Sequence, residues 1–176
     1  MKVNSIWQPY ASLLVNGFKT IETKIWPAPS TIIGQRIGIA STKTIKPEQR
    51  ATLEDEEFLH YYSRLGLPLD IEALPHGYLL GTVIIDSCDA VTTEVLEEIS
   101  DEEQMYGWYD VPGRQVYAWR CRSPQPLEHP IPIRGAQGIY EWNGVLPNGQ
   151  TEKAPEEVRS TGQGYVRDLR RHLRVV

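Results

Sequence analysis

Apolar positions in this chain come in short runs whose period changes from one run to the next, and turn residues close each run. Residues 3–7 form an apolar stretch stopped by Gln8-Pro9, which predicts a strand. Residues 10–15 predict a compact helix with Leu13 and Leu14 turned inward. Asn16-Gly17 closes it, with the glycine at a helix end where φ is often positive. Across residues 20–26 the period becomes two. Ile21, Thr23 and Ile25 fall on one side of a predicted strand, and Thr20, Glu22 and Lys24 on the other. Pro27-Ala28-Pro29-Ser30 breaks it. Residues 35–41 predict a further strand, and Gly38 within it implies close backbone approach or a bulge.

A helix is expected to begin near Pro47, a favoured first-turn residue, and to run to about Leu65 with Phe58, Leu59, Tyr61, Tyr62 and Leu65 as its apolar face. Residues 67–75 read as loop or short helix, and residues 77–88, continuously apolar around Gly81, as the strongest strand. Residues 92–99 are acidic and helix-compatible. Residues 116–122 alternate, with Tyr117, Trp119 and Cys121 on one side and Val116, Ala118, Arg120 and Arg122 on the other. Ile131 and Ile133, then residues 138–142, suggest two more short strands. Residues 143–154 are turn-rich, a boundary before a C-terminal segment in which Val166, Leu169 and Leu173 keep helical period and predict a docked helix. Short strands with helices inserted, and no regular β–helix–β alternation, predict an α+β fold. We expect a small mixed β-barrel with peripheral helices over residues 1–143 and a helical or extended tail over 144–176.

Composition changes this picture little. Apolar residues (40%) and charged residues (23%) are in ordinary globular proportion. No apolar run approaches the roughly 18 residues of a membrane span, and Met1-Lys2 is not followed by a signal-peptide core. We therefore expect a cytoplasmic protein with no membrane partner. Cys88 and Cys121 have no metal-ligand spacing and are expected as small buried thiols. The net charge of −5 argues against binding duplex nucleic acid by bulk charge neutralisation. The charge is uneven, however. Residues 54–57 and 94–103 are acidic, whereas Arg159, Arg167, Arg170, Arg171 and Arg174 make the end of the chain basic. Either the acidic segment or the basic tail is a candidate surface for a protein partner.

Four blocks add a resemblance: QPYASLLVNGFKTIETKIW (8–26), RIGIASTK (36–43), GYLLGTVIIDSC (77–88) and YAWRCRSPQPLEHPIPIRGAQGIYEW (117–142). In order and spacing they resemble the ASCH domain (activating signal cointegrator homology), a branch of the PUA-like β-barrels. The resemblance implies a barrel with a cleft at one end. Related barrels bind RNA, ASCH members handle nucleic acids or nucleotide-like ligands, and a few are hydrolases. Small bacterial members deacetylate acetylated cytidine with a lysine, a threonine and a glutamate. Lys19 matches the lysine. Glu22 occupies the threonine position, with Thr23 one place later, and the catalytic glutamate has no counterpart.

The chemistry suggested by the residues centres on 19–26. Ionised side chains are costly to bury unpaired, so Lys19, Glu22 and Lys24 within an apolar stretch imply a polar task. Glu22 and Lys24 share a strand face and Lys19 lies at the strand's mouth. The cluster would meet a phosphate or a base, or Lys19 and Glu22 would move a proton as catalytic groups, or the three would form a structural salt bridge. Tyr10 and Trp26 are the candidates to stack on a base, while Trp7 is expected in the core. Gln8 either pairs with a base edge or caps the helix at Tyr10. Ser41 and Lys43 at a strand end, and Arg134 beside Gly135, are further phosphate-binding candidates. Of the four histidines His76 alone could stand near a cleft, and a surface loop is its expected place. No Asp/Glu/His spacing suggests a metal, and no Gly-rich phosphate loop or nucleophile elbow occurs, so no metal or cofactor is expected. The expected ligand is RNA or single-stranded DNA. The alternatives are a hydrolase of a modified nucleoside or of RNA, and a protein-interaction module.

Overall fold

The computed structural model describes residues 1–147. In chain order its elements are β1 (Lys2–Ile6), α1 (Tyr10–Val15), β2 (Ile21–Lys24), β3 (Arg36–Ser41), α2 (Pro47–Thr52), α3 (Glu56–Tyr62), β4 (Tyr78–Ala90), α4 (Thr93–Glu97), α5 (Asp101–Met105), β5 (Tyr117–Pro132) and β6 (Ile139–Glu141). The strands make one mixed sheet in the order β2-β5-β4-β3-β1-β6. β1 and β3 are parallel and the other pairs antiparallel. The sheet curls into a half-barrel, an α+β fold of PUA-like type.

The predicted helix over 47–65 is two helices. Asp55 interrupts it by accepting a hydrogen bond from the Phe58 amide at 2.8 Å, the N-cap role its short carboxylate favours over a helix interior. In the other direction, the strands predicted at 116–122 and around 131–133 are one strand, β5. Prolines 124, 126, 130 and 132 fall within it. Among the described residues β2 pairs with β5 over residues 117–120, and beyond them the ladder of β5 runs to β4, where its register slips accommodate the prolines. The register slips three times along β4–β5. α5 lies in the acidic run and was not anticipated.

Helix α1 closes one face of the sheet. Its Ala11, Leu14 and Val15 pack with Ile37, Ile39, Val83, Ile85 and Trp119 in the main core. Leu13 turns the other way, into a second cluster with Phe58, Tyr62, Ile71, Leu74 and Tyr106 that joins the helical layer to the barrel. Gly38 is a close approach, as expected: a Cβ there would stand 2.8 Å from the Leu79 side chain. The docked helix expected near Val166, Leu169 and Leu173 lies outside the described residues.

Candidate functional site

The two edge regions of the curled sheet face one another across a cleft of about 840 Å³. β2 supplies Glu22, Thr23 and Lys24, with Ile25 and Trp26 beyond it. Residues 136–138, leading into the opposite edge strand β6, line the far side. β1 contributes its end, Ser5 and Ile6, followed by Trp7. Curling therefore joins segments that are more than a hundred residues apart in the chain, which no local pattern specifies.

The floor of the cleft is an anchored polar cluster. Lys19 is 2% exposed and donates from Nζ to the Tyr106 carbonyl, with Glu103 Oε1 at 3.9 Å. Glu103, on α5, accepts from the Thr20 amide at 2.7 Å, the Thr20 hydroxyl at 2.9 Å and the Ile21 amide at 3.1 Å. It thus holds the backbone entering β2, an edge strand of the sheet. Desolvation pulls the Lys19 ammonium below its usual pKa, opposed by the charges of Glu22 and Glu103. Burial likewise pushes the nearby Cys121 thiol up to about 12.

Above this floor Glu22 and Lys24 share a face, as the alternation predicted, and pair at 2.8 Å. Lys24 Nζ also lies 5.6 Å from the Trp26 ring centroid. Trp26 is 42% exposed and Trp108 50% exposed, large indoles left in reach of solvent. Trp7 does not sit in the core. It lines the cleft, edge-on to Trp108 at 5.4 Å, because the chain leaves β1 at Ile6 and turns toward the opening. Tyr10 completes the wall, 6.3 Å from Trp108, with its hydroxyl 3.2 Å from Thr52 Oγ1. The backbone amide of Trp108 donates to Thr23 Oγ1 at 3.1 Å, which ties the loop to β2.

A second groove of about 840 Å³ adjoins the first and shares Ser5, Trp7, Thr42, Ala136 and Gln137 with it. Its walls carry Lys43, Lys46, His76 and Arg134. The structure therefore brings Lys43 and Arg134, 91 residues apart, to one groove beside the aromatic cleft. His76 Nε2 lies 2.7 Å from the Ile71 carbonyl, and its Nδ1 is buried without a partner among the described residues.

Two residues considered as ligand contacts reach neither cavity. Gln8 is fully buried. Its Oε1 accepts from the Ser12 amide at 3.1 Å and its Nε2 donates to the Pro75 carbonyl at 2.9 Å, so its side chain caps α1. Ser41 is buried, its hydroxyl bridging the Tyr78 carbonyl and amide at 3.3 and 3.2 Å. Reasoning from sequence also missed Glu103 and Trp108. Glu103 stood inside an acidic run that reads as a solvated face. The signal that marks it is Ser100-x-x-Glu103, a helix-start spacing, and Ser100 Oγ does accept the Glu103 amide. Trp108 lies in a loop where no period operates. Among the described residues no cluster of His, Cys, Asp and Glu would hold a metal, and no helix is long and apolar enough to cross a membrane.

A family profile described as the ASCH domain matches residues 5–149. The chain belongs to the ASCH family. Activating signal cointegrator 1 of Homo sapiens is 30% identical over 148 residues, covering 82% of this chain and 23% of that protein. The Mus musculus protein of the same name is 28% identical over the same span and with the same coverage. The chain thus spans about a quarter of the length of these relatives. A crystal structure of ASCH from Zymomonas mobilis superposes with a TM-score of 0.50 at 18% identity, covering 79% of this chain and 85% of that one. This ASCH domain shares its fold with that protein.

Proposed function

We propose that this ASCH domain binds single-stranded nucleic acid, RNA foremost, with an unstacked base in the aromatic cleft and the backbone in the basic groove. The observation that carries this reading is the continuity of the two cavities. Trp7, Tyr10, Trp26 and Trp108 supply π-faces on one side of the shared wall, and Lys43, Lys46 and Arg134 supply cations on the other. A base stacked on an aromatic ring gains about 1–3 kcal/mol, and a positively charged groove beside it tracks the backbone phosphates. A net charge of −5 is compatible with this because the cations are gathered locally. In this reading Lys24 and Glu22 meet the base, and Lys19 holds the floor.

The test is a titration of labelled single-stranded RNA, single-stranded DNA and duplex DNA at two salt concentrations, with Trp26→Ala and Arg134→Ala alongside. Single strands should bind more weakly at the higher salt and to each variant. Indifference to both variants would sink the proposal.

A second reading has one specific observation behind it. Lys19 carries a depressed pKa at the floor of a cleft that Glu22 also lines, the setting of a lysine that transfers protons. As a hydrolase of an acetylated nucleoside, the domain would release acetate from acetylated cytidine and lose turnover in Glu22→Gln while still folded. No turnover with either that compound or RNA would remove this reading.

A further inference from the structure

The Glu22–Lys24 pair takes the nucleic-acid reading one step further, to which base the cleft prefers, and this step rests on that reading. Both side chains line the cleft and meet through Glu22 Oε1 and Lys24 Nζ at 2.8 Å. Among the described residues no hydrogen bond reaches Glu22 Oε2. Glu22 is 6% exposed and lines the cleft, so its Oε2 is an acceptor presented to the cleft and not to a protein donor among the described residues. Each carboxylate oxygen accepts two hydrogen bonds, so Oε1 also has capacity left beside the ammonium.

Toward the cleft, this pair offers a donor, the Lys24 ammonium, next to two acceptors, the Glu22 oxygens. Guanine presents the complement along its Watson–Crick edge: the O6 acceptor, then the N1–H and N2–H donors. Uracil offers acceptor, donor, acceptor, which sets its O2 against a carboxylate oxygen. Adenine and cytosine each offer one amino donor beside an acceptor, which leaves one carboxylate oxygen unfilled. We infer that Glu22 and Lys24 make the cleft selective for guanine in a single strand, Glu22 accepting from N1–H and N2–H and Lys24 donating to O6. Trp26, whose ring already sits 5.6 Å from the ammonium, is placed to stack on the base so held.

The test is fluorescence anisotropy with short oligouridines carrying a single central guanosine, inosine or adenosine, at one fixed salt concentration. Guanosine should bind about tenfold more tightly than adenosine or an all-uridine strand. Inosine, which lacks the N2 amino group, should fall between them. Glu22→Gln, once its melting shows it folded, should remove the preference and leave residual binding. The inosine comparison uses the unaltered protein, so it decides even if that variant unfolds. Equal affinity for the three strands, or a preference for adenosine or uridine, would overturn guanine selectivity while the nucleic-acid reading stands. Failure of every strand to bind would overturn both.

Discussion

Two lysine–glutamate pairs stand at one end of this molecule, and they are built for opposite purposes. Lys19 and Glu103 are the looser pair by distance, 3.9 Å, yet they carry the larger number of protein partners. Lys19 Nζ donates to a carbonyl, and Glu103 accepts from two backbone amides and a hydroxyl. Lys24 and Glu22 are tighter, at 2.8 Å, and less engaged: among the described residues the Glu22 carboxylate has one partner, and Lys24 has that ion pair and an indole face. Proximity therefore does not rank the two pairs by role. The number of protein partners does, because each donor or acceptor used within the protein is one fewer for a ligand.

The comparison is broken most directly at Glu103. Glu103→Ala strips three hydrogen-bond donors of their acceptor and leaves a buried ammonium without its carboxylate. We expect a loss of about 3–5 kcal/mol in urea unfolding, with residual ligand affinity tracking the folded fraction. A loss below about 1 kcal/mol would mean that Glu103 is not an anchor.

Trp26→Ala is the converse test. It should weaken single-strand binding by about 1–3 kcal/mol in anisotropy titrations and shift stability by no more than about 1 kcal/mol, since the indole is 42% exposed. The groove gives a smaller, different signature. If Lys43 and Arg134 each neutralise a phosphate, either alanine variant should flatten the dependence of log K on log salt by about 0.7 for a single strand. An unchanged slope would remove that residue from the backbone path.

The smallest effect is in pH. Burial lowers the Lys19 pKa from 10.5, so between the folded value and 10.5 the unfolded chain binds the extra proton. Stability attributable to Lys19 must then rise with pH across that window. Cys121, raised from 9.0 to about 12, works in the opposite sense above pH 9. The difference between unaltered protein and Lys19→Met, followed by thermal melts from pH 7 to 10, isolates the lysine and should narrow as pH rises if its burial costs as described. A difference that is flat with pH would show that Lys19 does not lose its proton in this range.

Much of the fold was legible because local periods survive burial. Alternation placed Glu22 and Lys24 on one face of β2, and Gly17 and Gly38 mark positions with a positive φ and a close approach. The errors have one origin. The helix expected over 47–65 ran through Asp55 and β5 was expected as two strands, and in both places the outcome depended on contacts outside the local pattern: a cap at Asp55, and a continuous ladder to β4. Trp7 was assigned to the core because an apolar run says that a side chain avoids water, not which cavity receives it.

The sequence by itself determined the elements of the sheet, the family, and the presence of charge beside aromatic residues in 19–26. Tertiary structure alone decided which of those charges is spent. Sheet curling carries Ala136, Gln137 and Trp108 to the β2 edge, and α5 carries Glu103 beneath it. The free energy of a charged group depends on the partners and water around it, and those are set by folding rather than by neighbours along the chain. Lysines five residues apart thus end as a buried anchor and an open contact.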